Sequence, residues 1–157
     1  VTDPAHGPLD QQTPEDLVAH TLNPYLNFRG TAREAMEFYA STFGGELVLT
    51  TFEQGGMPIE GEEAGWVMHG QLTLPNGMVL MGSDTPTSMP FDEVKGFAVA
   101  LTGDDGELLL GWYRALAATG HEDVPLAEAP WGDWFGQCKD RWGTPWMVNA
   151  APSAPTP

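Results

Sequence analysis

WGDWFGQCKDRWGTPWMVN, residues Trp131–Asn149, decides how this chain is read. Four of the six tryptophans, the only cysteine and two of the six basic side chains fall within these nineteen residues. Phe135–Lys139 can run extended. Asp140-Arg141-Trp142-Gly143 supplies a turn in which Gly143 can adopt φ > 0. Pro145 opens a second strand, where a missing N–H is tolerated. The stretch predicts a hairpin. Tryptophan carries a large apolar surface and one N–H that needs a partner. The cluster therefore reads as core hairpin and as pocket wall, and for any single tryptophan both readings stay open.

Working outward, a strand, a helix and a strand precede this hairpin. Gly96–Leu101 reads as a strand. Asp104 or Asp105 caps a helix with the apolar stripe Leu108, Leu109, Trp112, Tyr113 and Leu116, and Gly120 ends it. His121–Glu128 reads as the next strand. The first half has the same order. Asn23–Phe28 alternates, with Leu26 and Phe28 on one side and Asn23, Tyr25 and Asn27 on the other. Thr31–Phe43 is a helix with Ala35, Met36, Tyr39 and Phe43 in its stripe. Thr31 and Glu34 offer a capping box, and Gly44-Gly45 stops the helix. Glu46–Glu53 is a strand. Residues 54–65 hold four glycines, one proline and three glutamates and read as a loop. Trp66–Leu74, with Val67, His69, Gln71 and Thr73 on one side and Trp66, Met68, Leu72 and Leu74 on the other, the turn Pro75-Asn76-Gly77 and Met78–Asp84 form a second hairpin. Residues 85–95 link the halves.

Strand–helix–strand–strand–strand thus occurs twice, at about 21–84 and 96–150. Residues 1–20, with one short helical turn expected at 14–19, read as a flexible arm, and 151–157 as a tail. The expected class is α+β: paired βαβββ modules forming a curved mixed sheet with helices outside. One helix covers one face of a four-stranded sheet, so the other face needs a second cover. The hollow-facing positions should be Asn23, Tyr25 and Asn27 together with His69, Gln71 and Thr73.

The chain has 157 residues, 22 acidic and 6 basic, for a net charge of −16. A polyanion is repelled by such a surface, which argues against nucleic acid and against an anionic membrane. No apolar run approaches the ~20 residues of a membrane span, and no signal peptide is evident. The single Cys138 allows no intrachain disulfide, and a cytoplasmic setting is expected.

Three segments together carry a resemblance: PYLNFRGTAREAMEFYASTFGGEL (24–47), MHGQL with LMGSD (68–72, 80–84), and the hairpin stretch above. In this order they resemble the vicinal oxygen chelate superfamily of glyoxalases, bleomycin-resistance proteins and extradiol dioxygenases. The similarity is nearest to its PhnB-like branch and spans about residues 23–150. The resemblance implies paired βαβββ modules, a homodimer, and sites lined by strands, often at the dimer contact. It also implies a divalent metal held at one position on the first and fourth strands of each repeat. Those positions fall at Asn23 or Pro24, at Met81, among Gly96, Phe97 and Ala98, and at Met147. None is a carboxylate or imidazole, so no metal is expected. PhnB-like proteins are often labelled methyltransferases, but no cofactor-binding glycine motif is evident here, and no cofactor is expected.

The expected function is metal-independent small-molecule binding by a homodimer. Tyr25, Asn27, Gln71, Trp131, Trp134, Phe135 and Trp146 are the candidate ligand-binding residues. The alternative is a lyase, isomerase or dioxygenase type of enzyme using His69 or an unplaced divalent metal. For that reading His69 and Asp84 are the catalytic candidates, as a general base and its orienting carboxylate. Cys138 has no histidine near it in sequence and reads as a buried thiol. Lys139, Asp140 and Arg141 read as solvated or paired.

Overall fold

A computed structural model describes residues 20–152. The helical turn expected at 14–19 and the last residues of the tail lie outside the described residues. The first module runs β1 (Tyr25–Phe28), α1 (Ala32–Phe43), β2 (Glu46–Thr51), β3 (Val67–Thr73) and β4 (Val79–Asp84). The second runs β5 (Val99–Gly103), α2 (Gly106–Ala117), β6 (His121–Glu128), β7 (Trp134–Lys139) and β8 (Pro145–Ala150). Each module forms a four-stranded mixed sheet. The orders are β1-β4-β3-β2 and β5-β8-β7-β6, so the expected duplication holds strand for strand. In each sheet the first strand pairs in parallel with the fourth, and the other pairs are antiparallel.

The helices form where apolar residues recur every three or four positions. Ala32, Ala35, Met36, Tyr39 and Phe43 are buried on α1. Leu109, Tyr113 and Leu116 are buried on α2, whereas Leu108 is exposed. Asp105 caps α2 by accepting from the Leu108 amide at 3.1 Å. The capping box expected on α1 does not form. Thr31 makes no side-chain cap, and Glu34 binds Arg141 at 2.9 Å instead. The first amide of α1, Ala32 N, donates to the Asp84 carboxylate at 3.0 Å.

Each helix lies on glycine. Gly70 and Gly82 are register partners beneath Met36. A Cβ on Gly136 would lie 2.8 Å from the Tyr113 hydroxyl. A side chain at either place would lift the helix from its sheet.

One apolar core runs through both modules. Its seam is aromatic. Phe43 meets Trp112 edge-on at 5.1 Å, Phe38 meets Trp142 at 5.4 Å, and Tyr39 meets Trp146 edge-on at 5.4 Å between centroids. Beneath these rings sits Asp140. It accepts from the Tyr39 hydroxyl at 2.6 Å, the Trp146 indole at 2.9 Å, and the Trp142 and Thr144 amides at 3.0 Å each. Of the two readings offered for Asp140, solvated or paired, the structure shows the paired one, with the carboxylate buried. The turn itself is as expected: Gly143 has φ 84° and its amide closes on the Asp140 carbonyl.

Three strand readings also change. β5 begins at Val99 rather than Gly96, β2 ends at Thr51, and β3 carries a bulge. At the bulge the register jumps from Thr50↔His69 to Thr51↔Val67. Val67 therefore returns to the buried side with Gly70 and Leu72, instead of sharing a side with His69.

Candidate functional site

The helix-covered side of each sheet takes the buried residues, and strand alternation leaves the other side uncovered. On the first sheet that side carries Tyr25, Asn27, His69, Gln71, Thr73, Met81 and Ser83. Gln71, Met81 and Tyr25 form one row across β3, β4 and β1. Beside the row, the Tyr25 hydroxyl lies 3.1 Å from His69 Nδ1, with the rings 5.8 Å apart. Gln71 Nε2 reaches the Thr73 hydroxyl at 3.3 Å. Tyr25 is 44% exposed and Val48, on the same side, 56%.

On the second sheet the uncovered side carries Phe135, Gln137, Met147 and Asn149, with Ala100 beside Met147. Trp131 arches over its edge and is 61% exposed. Its indole donates to Asn149 Oδ1 at 2.9 Å, and Asn149 Nδ2 donates to Asp133 at 2.6 Å. Trp131 also stands edge-on to Phe135 at 5.7 Å. These contacts fix an open aromatic shelf that a flat molecule could stack on. Asn149 was missed in the sequence. It lies two residues beyond Met147, so strand alternation alone places it on this face.

Two expected roles are corrected. His69 and Asp84 do not pair. Asp84 lies on the helix-covered side with Leu80 and Gly82, where its two oxygens accept from the Ala32 and Val67 amides at 3.0 and 2.9 Å. The carboxylate ties a helix to a strand, and His69 faces away from it. Trp146 is 1% exposed, and its N–H is committed to Asp140. It is a core residue whose edge borders an apolar cavity of about 230 Å³ beside Phe43 and Trp112. Trp134 is partly exposed at the rim. Asn27 borders a second cavity, of about 350 Å³, at the far end of β1. Tyr25, Gln71, Trp131 and Phe135 stand on or beside open sheet faces, whereas Trp134 alternates with Gly136 and Cys138 onto the helix-covered side, which corrects its expected place in the site; neither of these cavities includes any of the five.

The register also tests the donor set for a metal. Tyr25, not Asn23 or Pro24, lies beside Met81, and Ala100 lies beside Met147. A phenol, a methyl group and two thioethers do not fit a hard divalent ion. Among the described residues no three His, Cys, Asp or Glu side chains gather.

Cys138 sits on the buried side of β7 beneath Tyr113. Burial first, then the Asp140 and Glu122 charges, push its thiol up from 9.0 to about 12. Burial likewise raises Tyr39 and Tyr113 well above the ordinary tyrosine value. The folded chain therefore holds protons that the unfolded chain releases. This contribution to stability is complete below the unfolded thiol's 9.0 and falls as pH rises toward about 12. Two results are expected. The native thiol should resist iodoacetamide at about pH 8 and react once the chain is unfolded. The urea midpoint should hold steady up to about pH 9 and drop above it.

Comparisons with known proteins now decide the family. A family model for 3-demethylubiquinone-9 3-methyltransferase matches residues 20–149. The chain belongs to that family. Its relatives include protein YjdN of Escherichia coli (strain K12), 30% identical over 145 residues, covering 86% of this chain and 98% of that one. The solved protein PA1353 from Pseudomonas aeruginosa is 32% identical with a TM-score of 0.75, covering 85% of this chain and 98% of that one. A PhnB protein from Bacillus cereus is 29% identical with a TM-score of 0.69, covering 84% of this chain and all of that one. Members of the glyoxalase/bleomycin resistance superfamily at 16% and 17% identity share the fold, with TM-scores of 0.51 and 0.53. The PhnB-like resemblance and the α+β fold of paired βαβββ modules are thus established. No helix among the described residues is long and apolar enough to cross a membrane.

Proposed function

We propose that this PhnB-like chain is a metal-independent small-molecule binder that works as a homodimer in the cytoplasm. One observation carries the reading: each module buries the helix side of its sheet and leaves a shaped, half-apolar second side open. Exposed Tyr25 and Val48 on the first sheet and Trp131 beside the second leave apolar surface uncovered on both open sides. A second copy would cover them by setting the Tyr25–His69–Gln71 side of one chain against the Trp131–Phe135–Asn149 side of the other. A ligand between them would meet hydrogen-bonding groups on one wall and aromatic rings on the other. The net charge of −16 favours a neutral or cationic occupant there.

The family's description names methyl transfer. The strand-to-helix connections here, Arg29-Gly30-Thr31 and Asp104-Asp105, are too short to form a glycine-rich cradle for a nucleotide-like methyl donor. Binding is therefore the reading that the residues support best. The Tyr25–His69 hydrogen bond favours a second reading, an enzyme in which this pair relays a proton to or from a bound substrate.

The neutral bicyclic probe 1-naphthol tests binding through tryptophan fluorescence. Wild-type protein should be quenched saturably, and Trp131→Ala should weaken the affinity about tenfold, the worth of one aromatic contact. Binding that ignores both Trp131→Ala and His69→Ala, or no binding at the solubility limit of the probe, would overturn the site.

A further inference from the structure

The second cavity, of about 350 Å³, lies where the end of β1 and the linker between the modules meet the β7–β8 turn. Asn27 apart, none of the residues assigned above to ligand binding borders it, so it stands independently of the sheet-face reading. Its walls include Arg29 and Lys139, two of only six basic residues in the chain. Arg33 and Arg141 are neutralised by Glu37 and Glu34. Among the described residues, Arg29, Lys95, Arg114 and Lys139 have no carboxylate within ion-pair distance, although the chain holds 22 acidic residues, and two of these four border this one cavity. The Arg29 guanidinium is held in place, 5.0 Å over the Phe91 ring and 2.7 Å from the Met89 carbonyl. Trp142, another wall, carries the one buried side-chain nitrogen without an acceptor among the described residues, its indole Nε1. The nitrogen itself is closed off from solvent, so the Trp142 ring borders the cavity and its N–H senses what fills it without touching it.

We infer that this cavity binds a small organic anion, a carboxylate or phosphate ester with an aromatic or apolar body. The Arg29 guanidinium and the Lys139 ammonium take the charge, and Phe91 and Trp142 flank the body. Two cations without carboxylates, in a chain that otherwise repels anions, form the local field such a ligand requires. Glu93 also borders the cavity and opposes it. Its charge sets the affinity below what the two cations alone would give.

Phenyl phosphate and benzoate are the probes, with benzylamine as the cationic control. The readout is the ¹H–¹⁵N signal of the Trp142 indole, assigned by its loss in Trp142→Phe. Either anion should shift that signal saturably, and the preferred one identifies the head group. Arg29→Met and Lys139→Met should each weaken binding about tenfold or more, as loss of one charge-assisted contact does. Arg29→Met also removes the contacts to Met89 and Phe91, so circular dichroism melts establish that each variant is folded before affinities are compared. Glu93→Gln should tighten binding. A Trp142 signal unmoved by both anions at tens of millimolar would overturn the assignment. So would affinity indifferent to Arg29→Met and Lys139→Met, or benzylamine binding that Glu93→Gln abolishes.

Discussion

Asp140→Ala will lower the melting temperature by roughly 8–16 °C, the shift that about 4 kcal/mol produces in a domain of this size. The carboxylate is 3% exposed and accepts four hydrogen bonds, two from side chains and two from main-chain amides. Alanine leaves the Tyr39 hydroxyl and the Trp146 indole facing an apolar void. Each stranded donor costs roughly 1–3 kcal/mol. The two amides in the β7–β8 turn lose their acceptor as well. Because Tyr39 belongs to α1 and Asp140 to the second module, the loss loosens the seam between the modules as well as the hairpin. Asp140→Asn keeps one acceptor oxygen but turns an NH₂ toward donors, so about half the loss is expected. Tyr39→Phe removes one of four donors to Asp140 and leaves the buried Thr144 hydroxyl without its hydrogen bond to Tyr39, while three donors to Asp140 remain. It should cost about 1–2 kcal/mol. Urea unfolding followed by circular dichroism measures all three. A loss below about 1 kcal/mol for Asp140→Ala would show that the seam does not depend on this carboxylate.

Asp84→Ala is the second large effect, at about 2–4 kcal/mol, from two buried amides losing their only side-chain acceptor. Ala32 N begins α1 and Val67 N begins β3, so the damage should be local to both starts. Hydrogen exchange should speed up at those two amides before the rest of the first module. Asp84→Asn retains an acceptor for one of them and should recover about half the stability. The prediction separates two accounts of this residue. As an orienting carboxylate for His69, its loss would abolish function and spare stability. As a tie between helix and strand, its loss spares 1-naphthol affinity at temperatures where the variant is folded.

Asp84 also shows what a sequence can carry and what it cannot. That it ends a strand was legible from the alternation of Val79 to Asp84. That its acceptors' partners are the starts of α1 and β3 was not, because those contacts span 52 and 17 residues. A hidden bulge added to this: with Met68 as the extra residue, simple alternation put Val67 on the side of His69. Asp140 was hidden for the same reason. Read locally it is a polar turn residue, and it becomes buried only because Tyr39, 101 residues earlier, lies over it.

The tryptophans divide along strand phase. Trp146 alternates with Val148 and Ala150 toward α2, and all three are buried. Trp131 precedes β7 and stays exposed. Nothing in the composition of the stretch separates them, since indole suits a core and a pocket wall equally. The repeat itself was legible because it rests on local signals. Two helix stripes end at glycine, and two tight turns contain Gly77 and Gly143 at positive φ. The cavity at Arg29 and Lys139 was not legible, because its walls come from three separate parts of the chain.

The most direct test of the central proposal is the solution mass measured by sedimentation equilibrium. If a second copy covers the open sheet faces, the chain of 17.0 kDa should sediment as a species of twice that mass at micromolar concentration. Phe135→Asp, which places a charge on the open face of the second sheet, should return it to the single-chain mass with its circular dichroism unchanged. A wild-type protein that sediments as one chain across the accessible concentration range would contradict the account.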